Sequence, residues 1–517
     1  MTFFPVSIYM DPVQEWACRE AGIPFLFPVQ RMVIAGILDA LLEDNDAPRG
    51  QIAVLPTGAG KSLCFQIPAA LDERPTLILY PLLALLQDQQ RRFTELGIPA
   101  AIIRGGQSPA ERETVWEGIR TGRIRAVLSN PECMIQPNTL KKIAGLGFAH
   151  LVVDESHCVC EWGMTFRPTY LEIPRIQQEA RIPVLSAFTA TAGPEVLEAI
   201  RRHLFPGFAP AVLQGNPDRP NMGLRVLPVI NKDAAIRQIF ADTREVPCGT
   251  PELPMWTPGA VMPRPAIVFC SSREGCQELA LRLHDDHPGK VRFYHAGLER
   301  EEKDAIESWF FNSGNGILCS TTAYGMGVDK KNIRSVIHRD PAQSIESYLQ
   351  EAGRAGRDRH ASQAVLLITP GDIASPERQS DGFQRGRLQQ LIWWVLEPGC
   401  RRAALLRRMG AEETACFGCS SCVSDPPPAP DTYWDRQRRW LQGVCRNEGI
   451  HRHAGSEIVR WTAQEYEWNS FSPPPKWIRR LPRMPEWSEA ETMAAVQEVR
   501  DNPRAVDMFT RRLLQQQ

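Results

Sequence analysis

The run QIAVLPTGAGKSLCFQIP, from Gln51 to Pro68, limits what this chain can fold into more than any other stretch. An apolar strand passes into a glycine-containing turn, and Lys61 and Ser62 then open a helix. Glycines in the turn let backbone N–H groups approach a phosphate, and the helix start adds positive potential. Lys61 can reach the terminal phosphates and Ser62 can offer an oxygen to magnesium. Thr57, Gly58, Ala59, Gly60, Lys61 and Ser62 are therefore the candidate phosphate-binding residues. A strand, loop and helix of this kind belong to an α/β fold with a parallel sheet.

The surrounding sequence repeats the pattern. TLILYPLLALLQDQ and RAVLSNPE read as strands ending in polar turns, with Asp88, Gln89 and Asn130 at ends where ligands would bind. Ala100 to Arg104 and Val115 to Arg125 read as an intervening strand and helix, and residues 12–43 as helical with Val33, Ile34, Ile37, Leu38, Leu41 and Leu42 on one face. Ahead of that face, Gln30 has an amide suited to the hydrogen-bonding edge of an adenine, or to solvent. LVVDESH then delivers Asp154 and Glu155 from the end of an apolar strand. With phosphate-borne magnesium, Asp154 is expected in its coordination sphere and Glu155 beside the attacking water. Trp162, Phe166 and Tyr170 follow, with Arg167 among them, an aromatic run suited to a nucleic-acid base.

Further along, QEAGRAGRD carries Arg354 and Arg357 three apart, able to address neighbouring phosphate oxygens. AYGMGVD permits close backbone approach and places Asp329 to reach a ribose. A formal net charge of -1 gives no global sign of a polyanion-binding protein, so a nucleic-acid surface must be local. The basic cluster Arg385, Arg387, Arg401, Arg402, Arg407 and Arg408 is one candidate for backbone contact. Most of the 14 cysteines sit singly in apolar runs, as Cys270 and Cys319 do, and read as small buried hydrophobes. Cys400, Cys416, Cys419 and Cys422 instead have metal-ligand spacing. Met1 to Pro5 lacks a basic lead into an apolar core, and the longest apolar run, Leu77 to Leu86, is broken by Pro81. No membrane association and an intracellular location are expected.

TGAGKS, DESHC, EWGMTFRPTYL, SAFTATA and DRPNM occur in that order and resemble the motifs of the RecQ family of superfamily-2 DNA helicases. TGxGKS is the form of the phosphate loop in helicase-type ATPases, which accounts for Leu55 where the strict pattern has glycine. The resemblance covers about residues 20–422 and implies two tandem RecA-like parallel-sheet domains with ATP between them, then a small helical zinc-binding module. Expected boundaries are 1–220 and 221–376 for the helicase domains, 377–424 for the zinc module and 425–517 for a Trp/Pro-rich region of unknown fold. A proline-rich surface insertion is expected at 242–264. By resemblance Arg357 is the arginine finger, Arg354 its partner and Gln350 a nucleotide-state contact. Trp162, Phe166, Arg167 and Tyr170 couple DNA to hydrolysis, Thr189 and Thr191 transmit nucleotide state across the cleft, and His295 faces DNA or the core. The four cysteines hold zinc.

Ser156, Met164 and Thr165 depart from the family pattern, the last two replacing a His-Asp pair, and Phe27 stands where arginine is common. The implied activity is an ATP- and magnesium-dependent 3′ to 5′ DNA helicase acting on single-stranded and forked DNA in repair or recombination, in the nucleus of a eukaryote or otherwise the cytoplasm. A nucleic-acid-binding or translocating ATPase with little unwinding, and an RNA-directed DExH helicase, are the competing readings.

Overall fold

The computed structural model describes residues 11–42, 49–81, 83–161, 168–229, 231–241, 262–325, 330–413, 415–416 and 418–422. They fall into two compact units. The first runs to Asp218 and includes Arg408–Glu412; the second begins at Arg219.

The first unit holds a seven-stranded sheet, with strands β1 (Arg49–Val54), β2 (Thr76–Leu79), β3 (Ala100–Ile102), β4 (Ala126–Ser129), β5 (His150–Val153), β6 (Val184–Thr189) and β7 (Ala211–Gln214). Their order is β3-β4-β2-β5-β6-β1-β7 and every pairing is parallel. β2, β4, β5 and β6 are buried along their whole length, as expected of a parallel sheet covered by helices on both faces. The period of two divides each strand between two cores. Ile52, Leu77, Leu79, Leu151 and Val153 pack on one face, and Ala53, Ile78, Val152, Val184 and Phe188 on the other. Each such Leu, Ile or Val contributes about 1.5–3 kcal/mol by leaving water, which fixes the register.

The second unit has a six-stranded sheet of β8 (Met222–Pro228), β9 (Ala266–Phe269), β10 (Val291–Tyr294), β11 (Ile317–Ser320), β12 (Ser335–His338) and β13 (Ser362–Ile368). Its order is β10-β11-β9-β12-β13-β8, again all parallel. The expected fold class of two tandem parallel-sheet units is what the chain adopts. No described helix is long and apolar enough to cross a membrane.

Some local expectations need correction. Residues 12–43 do not form one helix, because Gly22 caps Pro12–Ala21 in the left-handed region (φ 64) and a second helix starts afresh at Pro28. Asp88 and Gln89 lie inside the helix Leu83–Glu95 rather than at a strand end. Only Asn130 occupies the expected place, directly after β4. At the close of the proline-rich stretch, Met262 is fully buried and the Pro263 carbonyl accepts a 2.6 Å hydrogen bond from Ser335 Oγ, so that end is core-anchored rather than superficial. Residues 242–261 and 425–517 lie outside the described residues.

Candidate active site

Strand order places three loops side by side at the carboxyl edge of the first sheet. β5, β6 and β1 are neighbours, and Val54 is in register with Thr189. The loop after β1 is the phosphate loop, with Gly58 and Gly60 at φ 82 and 69, where other residues are strained. A Cβ on Gly60 would also stand 2.5 Å from Gln30 Nε2. Gln30 is only 3% exposed, which removes the solvent-facing reading. Its Nε2 donates to the Ala59 carbonyl (2.8 Å) and its Oε1 accepts from the Phe27 N–H (2.8 Å), tying the helix Pro28–Leu42 to the phosphate loop. Ser62 stands at the cap of the helix Leu63–Leu71.

Lys61 Nζ lies 2.8 Å from both Asp154 Oδ1 and Glu155 Oε1. Burial opposes its charge, but the two carboxylates outweigh burial and hold its pKa above the ordinary lysine value. The ammonium is thus fixed at the centre of the edge. Asp154 Oδ1 also accepts the Glu155 N–H (2.9 Å), which shapes the turn. Glu155 has φ 49, a left-handed conformation costing about 1–3 kcal/mol in a residue other than glycine. Strain is therefore held at the carboxylate best placed to orient water.

His157, which sequence reading passed over, joins these loops. Its Nδ1 is 3.4 Å from Glu155 Oε2 and 3.0 Å from Thr189 Oγ1. Thr189 Oγ1 donates to the Thr191 carbonyl (3.0 Å) and accepts from the Thr191 N–H (3.4 Å). With that hydroxyl proton committed, His157 Nδ1 is the donor in its pair with Thr189. Glu155 Oε2 and the end of β6 thus meet at one ring nitrogen of His157. The described partners of the Thr189 hydroxyl, His157 and Thr191, lie within the first unit. The signal available in sequence was the histidine of DESH itself.

Tyr170, expected at the nucleic-acid surface, is fully buried in the core of the first unit, where Ile173, Ile176 and Cys158 also pack. An enclosed ring has no face to offer a base, so direct stacking by Tyr170 is corrected. Trp162, Phe166, Arg167 and Asp329 lie outside the described residues. His295, at 4% exposure, belongs to the core side of its two expectations.

In the second unit, Gln350 sits on the helix Ile345–Ala352, and Arg354 and Arg357 in the turn that follows. Underneath, His338 Nε2 pairs with Glu351 Oε2 at 2.8 Å, both groups buried. The turn is held from one side by Gly356 N–H to the Ile333 carbonyl (2.8 Å), Asp358 N–H to the Lys331 carbonyl (3.2 Å) and an Arg334–Asp358 ion pair.

Cys400, Cys416, Cys419 and Cys422 place their sulfurs within 4.8 Å of one another, and Cys400 Sγ and Cys419 Sγ are 3.9 Å apart. A tetrahedral site with Zn–S bonds of about 2.3 Å has sulfur–sulfur edges of about 3.8 Å, so the donor set and spacing fit zinc. Burial works against a thiolate at Cys419, but N–H groups of Ser421, Arg401 and Cys422 bring it down to about 7. Two arginines expected to contact DNA are structural. Arg401, 3% exposed, donates to the Trp394, Val395 and Glu397 carbonyls, and Arg402, 1% exposed, to those of Arg219 and Met222. Buried guanidiniums can donate to ordered carbonyls, and those met by Arg401 end the helix Gly382–Leu396.

Residues 27–200 match the DEAD/DEAH box helicase family and residues 260–359 the helicase conserved C-terminal domain. The chain is 31% identical over 460 residues to the ATP-dependent DNA helicase RecQ of Pasteurella multocida, covering 86% of this chain and 68% of that protein. It is 32% identical over 389 residues to RecQ of Bacillus subtilis, covering 73% of this chain and 62% of that one, so it spans about two thirds of their length. Among solved structures, the DUF1998 helicase MrfA bound to DNA and AMPPNP aligns with a TM-score of 0.54 and 22% identity, over 80% of this chain and 59% of that one. At that identity the likeness concerns the fold.

Proposed function

Because this chain belongs to the RecQ family of superfamily-2 ATP-dependent DNA helicases, we propose that it hydrolyses ATP to move along single-stranded DNA and separate duplex strands. The observation that carries the reading is Lys61 held 2.8 Å from both Asp154 and Glu155 beside a loop shaped for phosphates. The order of events follows from that geometry. Arriving terminal phosphates compete for Lys61, which releases the two carboxylates for their own tasks. Glu155, oriented through His157, aligns and deprotonates the attacking water. Arg357 with Arg354 stabilises charge on the transferred phosphoryl group, a contribution of about 10³–10⁵ in rate for such reactions. Gln30, Thr57, Gly58, Ala59, Gly60, Gln350 and Asp329 complete the nucleotide contacts.

Ser62 and Asp154 offer the hard oxygen donors that magnesium prefers; when bound, it would neutralise phosphate charge. Zinc on the four cysteines would be structural, since all its positions are filled by protein. Trp162, Phe166 and Arg167 are the proposed DNA-coupling residues, with Thr189 and Thr191 relaying the state of the site. The proposed polarity is 3′ to 5′, on single-stranded and forked DNA, in repair or recombination inside the cell.

Met164 and Thr165, standing in place of the family's His-Asp pair in the coupling loop, favour one second reading, a DNA-stimulated translocase with little strand separation. Forked DNA and forked RNA substrates assayed in parallel, with Lys61→Ala as the control, separate these. Strand separation of DNA that disappears in Lys61→Ala supports the helicase. Hydrolysis without separation supports the translocase, and turnover retained by Lys61→Ala sinks the site assignment.

A further inference from the structure

The segment DRPNM at 218–222 carries no assigned chemistry, yet its side chains converge on the turn bearing the two arginines. Arg219 Nη1 donates to the Gly353 carbonyl (3.3 Å), and its Nη2 to those of Ala355 (3.1 Å) and Gly356 (2.8 Å). One guanidinium thus spans the backbone on both sides of Arg354 and up to the residue before Arg357. Asn221 Nδ2 donates to the Gly356 carbonyl (2.9 Å) and the His360 carbonyl (2.8 Å), closing the turn that contains Arg357. The fit is tight enough to dictate a residue. Gly356 has φ 59, and a Cβ there would lie 2.5 Å from Asn221 Nδ2, 2.6 Å from Ser362 Oγ and 2.8 Å from the His360 carbonyl.

The clamp is itself braced. Arg402, beside the cysteine site, donates to the Arg219 carbonyl (3.1 Å) and to that of Met222. Gly418 and Ser420 add backbone bonds to Leu224 of 3.2 and 2.9 Å on the outer edge of β8. Backbone carbonyls could be met by neutral donors. Here burial, then the charges of Arg357 and Arg359, press Arg219 below its ordinary pKa against the opposing pull of Asp358, so the turn gathers several cations. An anion bound beside these cations would offset their repulsion.

We propose that Arg219 and Asn221 are positioning residues for ATP hydrolysis: they hold residues 353–360 so that Arg354 and Arg357 meet the phosphoryl group in its transition state, with Arg402 as their support. This rests on the reading of Arg357 as the rate-enhancing arginine.

The test measures kcat and KM for ATP, and affinities for ADP–aluminium fluoride and AMPPNP, in Arg219→Gln, Asn221→Ala, Arg357→Ala and the double variant Arg219→Gln/Arg357→Ala. Expected is a fall of about tenfold or more in kcat for each of the first two, since misplacement of about 1 Å can cost about 10²-fold. KM and AMPPNP affinity should move less than about twofold, while ADP–aluminium fluoride binding weakens in step with kcat. The double variant should lose clearly less than the product of the two single losses, because the clamp acts in large part through Arg357. Asn221→Ala keeps Arg219 in place and serves if Arg219→Gln does not fold. Parental kcat in a folded Arg219→Gln or Asn221→Ala, or losses that multiply in the double variant, overturns the inference. Parental kcat in Arg357→Ala overturns the arginine-finger reading instead.

Discussion

Thr189→Val tests the link between the water-orienting carboxylate and β6. Thr189 is fully buried, and valine keeps its branched shape while removing the hydroxyl that serves His157 Nδ1, the Thr191 carbonyl and the Thr191 N–H. The 3.4 Å bond from the Thr191 N–H is long, and His157 keeps its contact with Glu155, so the main losses are the Thr191 carbonyl's donor and His157's closer partner. Each costs about 1–3 kcal/mol when a buried group loses its partner. The buried methyl returns about 0.8 kcal/mol. A net destabilisation of about 1–5 kcal/mol follows, or roughly 3–20 °C in melting temperature for a unit of this size. Thr189→Ser retains the hydroxyl and should recover most of it. Calorimetry of both variants gives the first readout and single-turnover ATP hydrolysis the second. Because His157, packed beside Glu155, loses the partner that fixes its ring, the valine variant should also hydrolyse about tenfold or more slowly, and the serine variant near the parental rate. A valine variant that melts and turns over like the parent would refute the reasoning.

Two further outcomes follow from buried groups. His150 lies within β5, fully buried, with Nε2 2.9 Å from Ser186 Oγ, and burial lowers its pKa to about 3 against the opposing pull of Asp72. Its neutral form is favoured on folding, so the stabilisation is complete above the unfolded pKa of about 6.5 and is lost as pH falls from there toward 3. At pH 5 the loss is about 2 kcal/mol; unfolding in urea at pH 7 and pH 5 should show it, and His150→Gln should flatten the difference. Equal pH dependence in that variant would exclude His150 as the cause. For the cysteine site, the purified protein should carry about one zinc per chain by elemental analysis, and Cys419→Ser should lose it. Metal-free parental protein with a melting temperature indifferent to chelators would rule the site out.

Contiguous chemistry was readable in advance because its spacing is local. Lys61 and Ser62 follow glycines whose left-handed φ is written into the loop, and Asp154 and Glu155 follow an apolar strand. Three of the four cysteines lie within seven residues, and the structure gathers all four. Roles that depend on direction were less legible. An aromatic in a functional motif can face a ligand or the core, and Tyr170 faces the core. A cluster of arginines can be a charged surface or a set of backbone donors, and Arg401 and Arg402 are donors. Nor did periodicity reveal that Gly22 and Pro28 divide the first helical stretch.

The sequence by itself therefore determined the fold class, the phosphate loop, the acidic pair and the family, since each is set by residues a few positions apart and by the period of buried strands. Tertiary structure alone decided what supports them. Strand order brings β5, β6 and β1 together, so His157 meets Thr189 32 positions away and Lys61 meets Glu155 94 positions away. It also sets Arg219 and Asn221 against carbonyls 134 to 139 positions along the chain. Such pairings leave no local spacing signal, because a parallel sheet joins distant segments through crossovers whose lengths are free to vary.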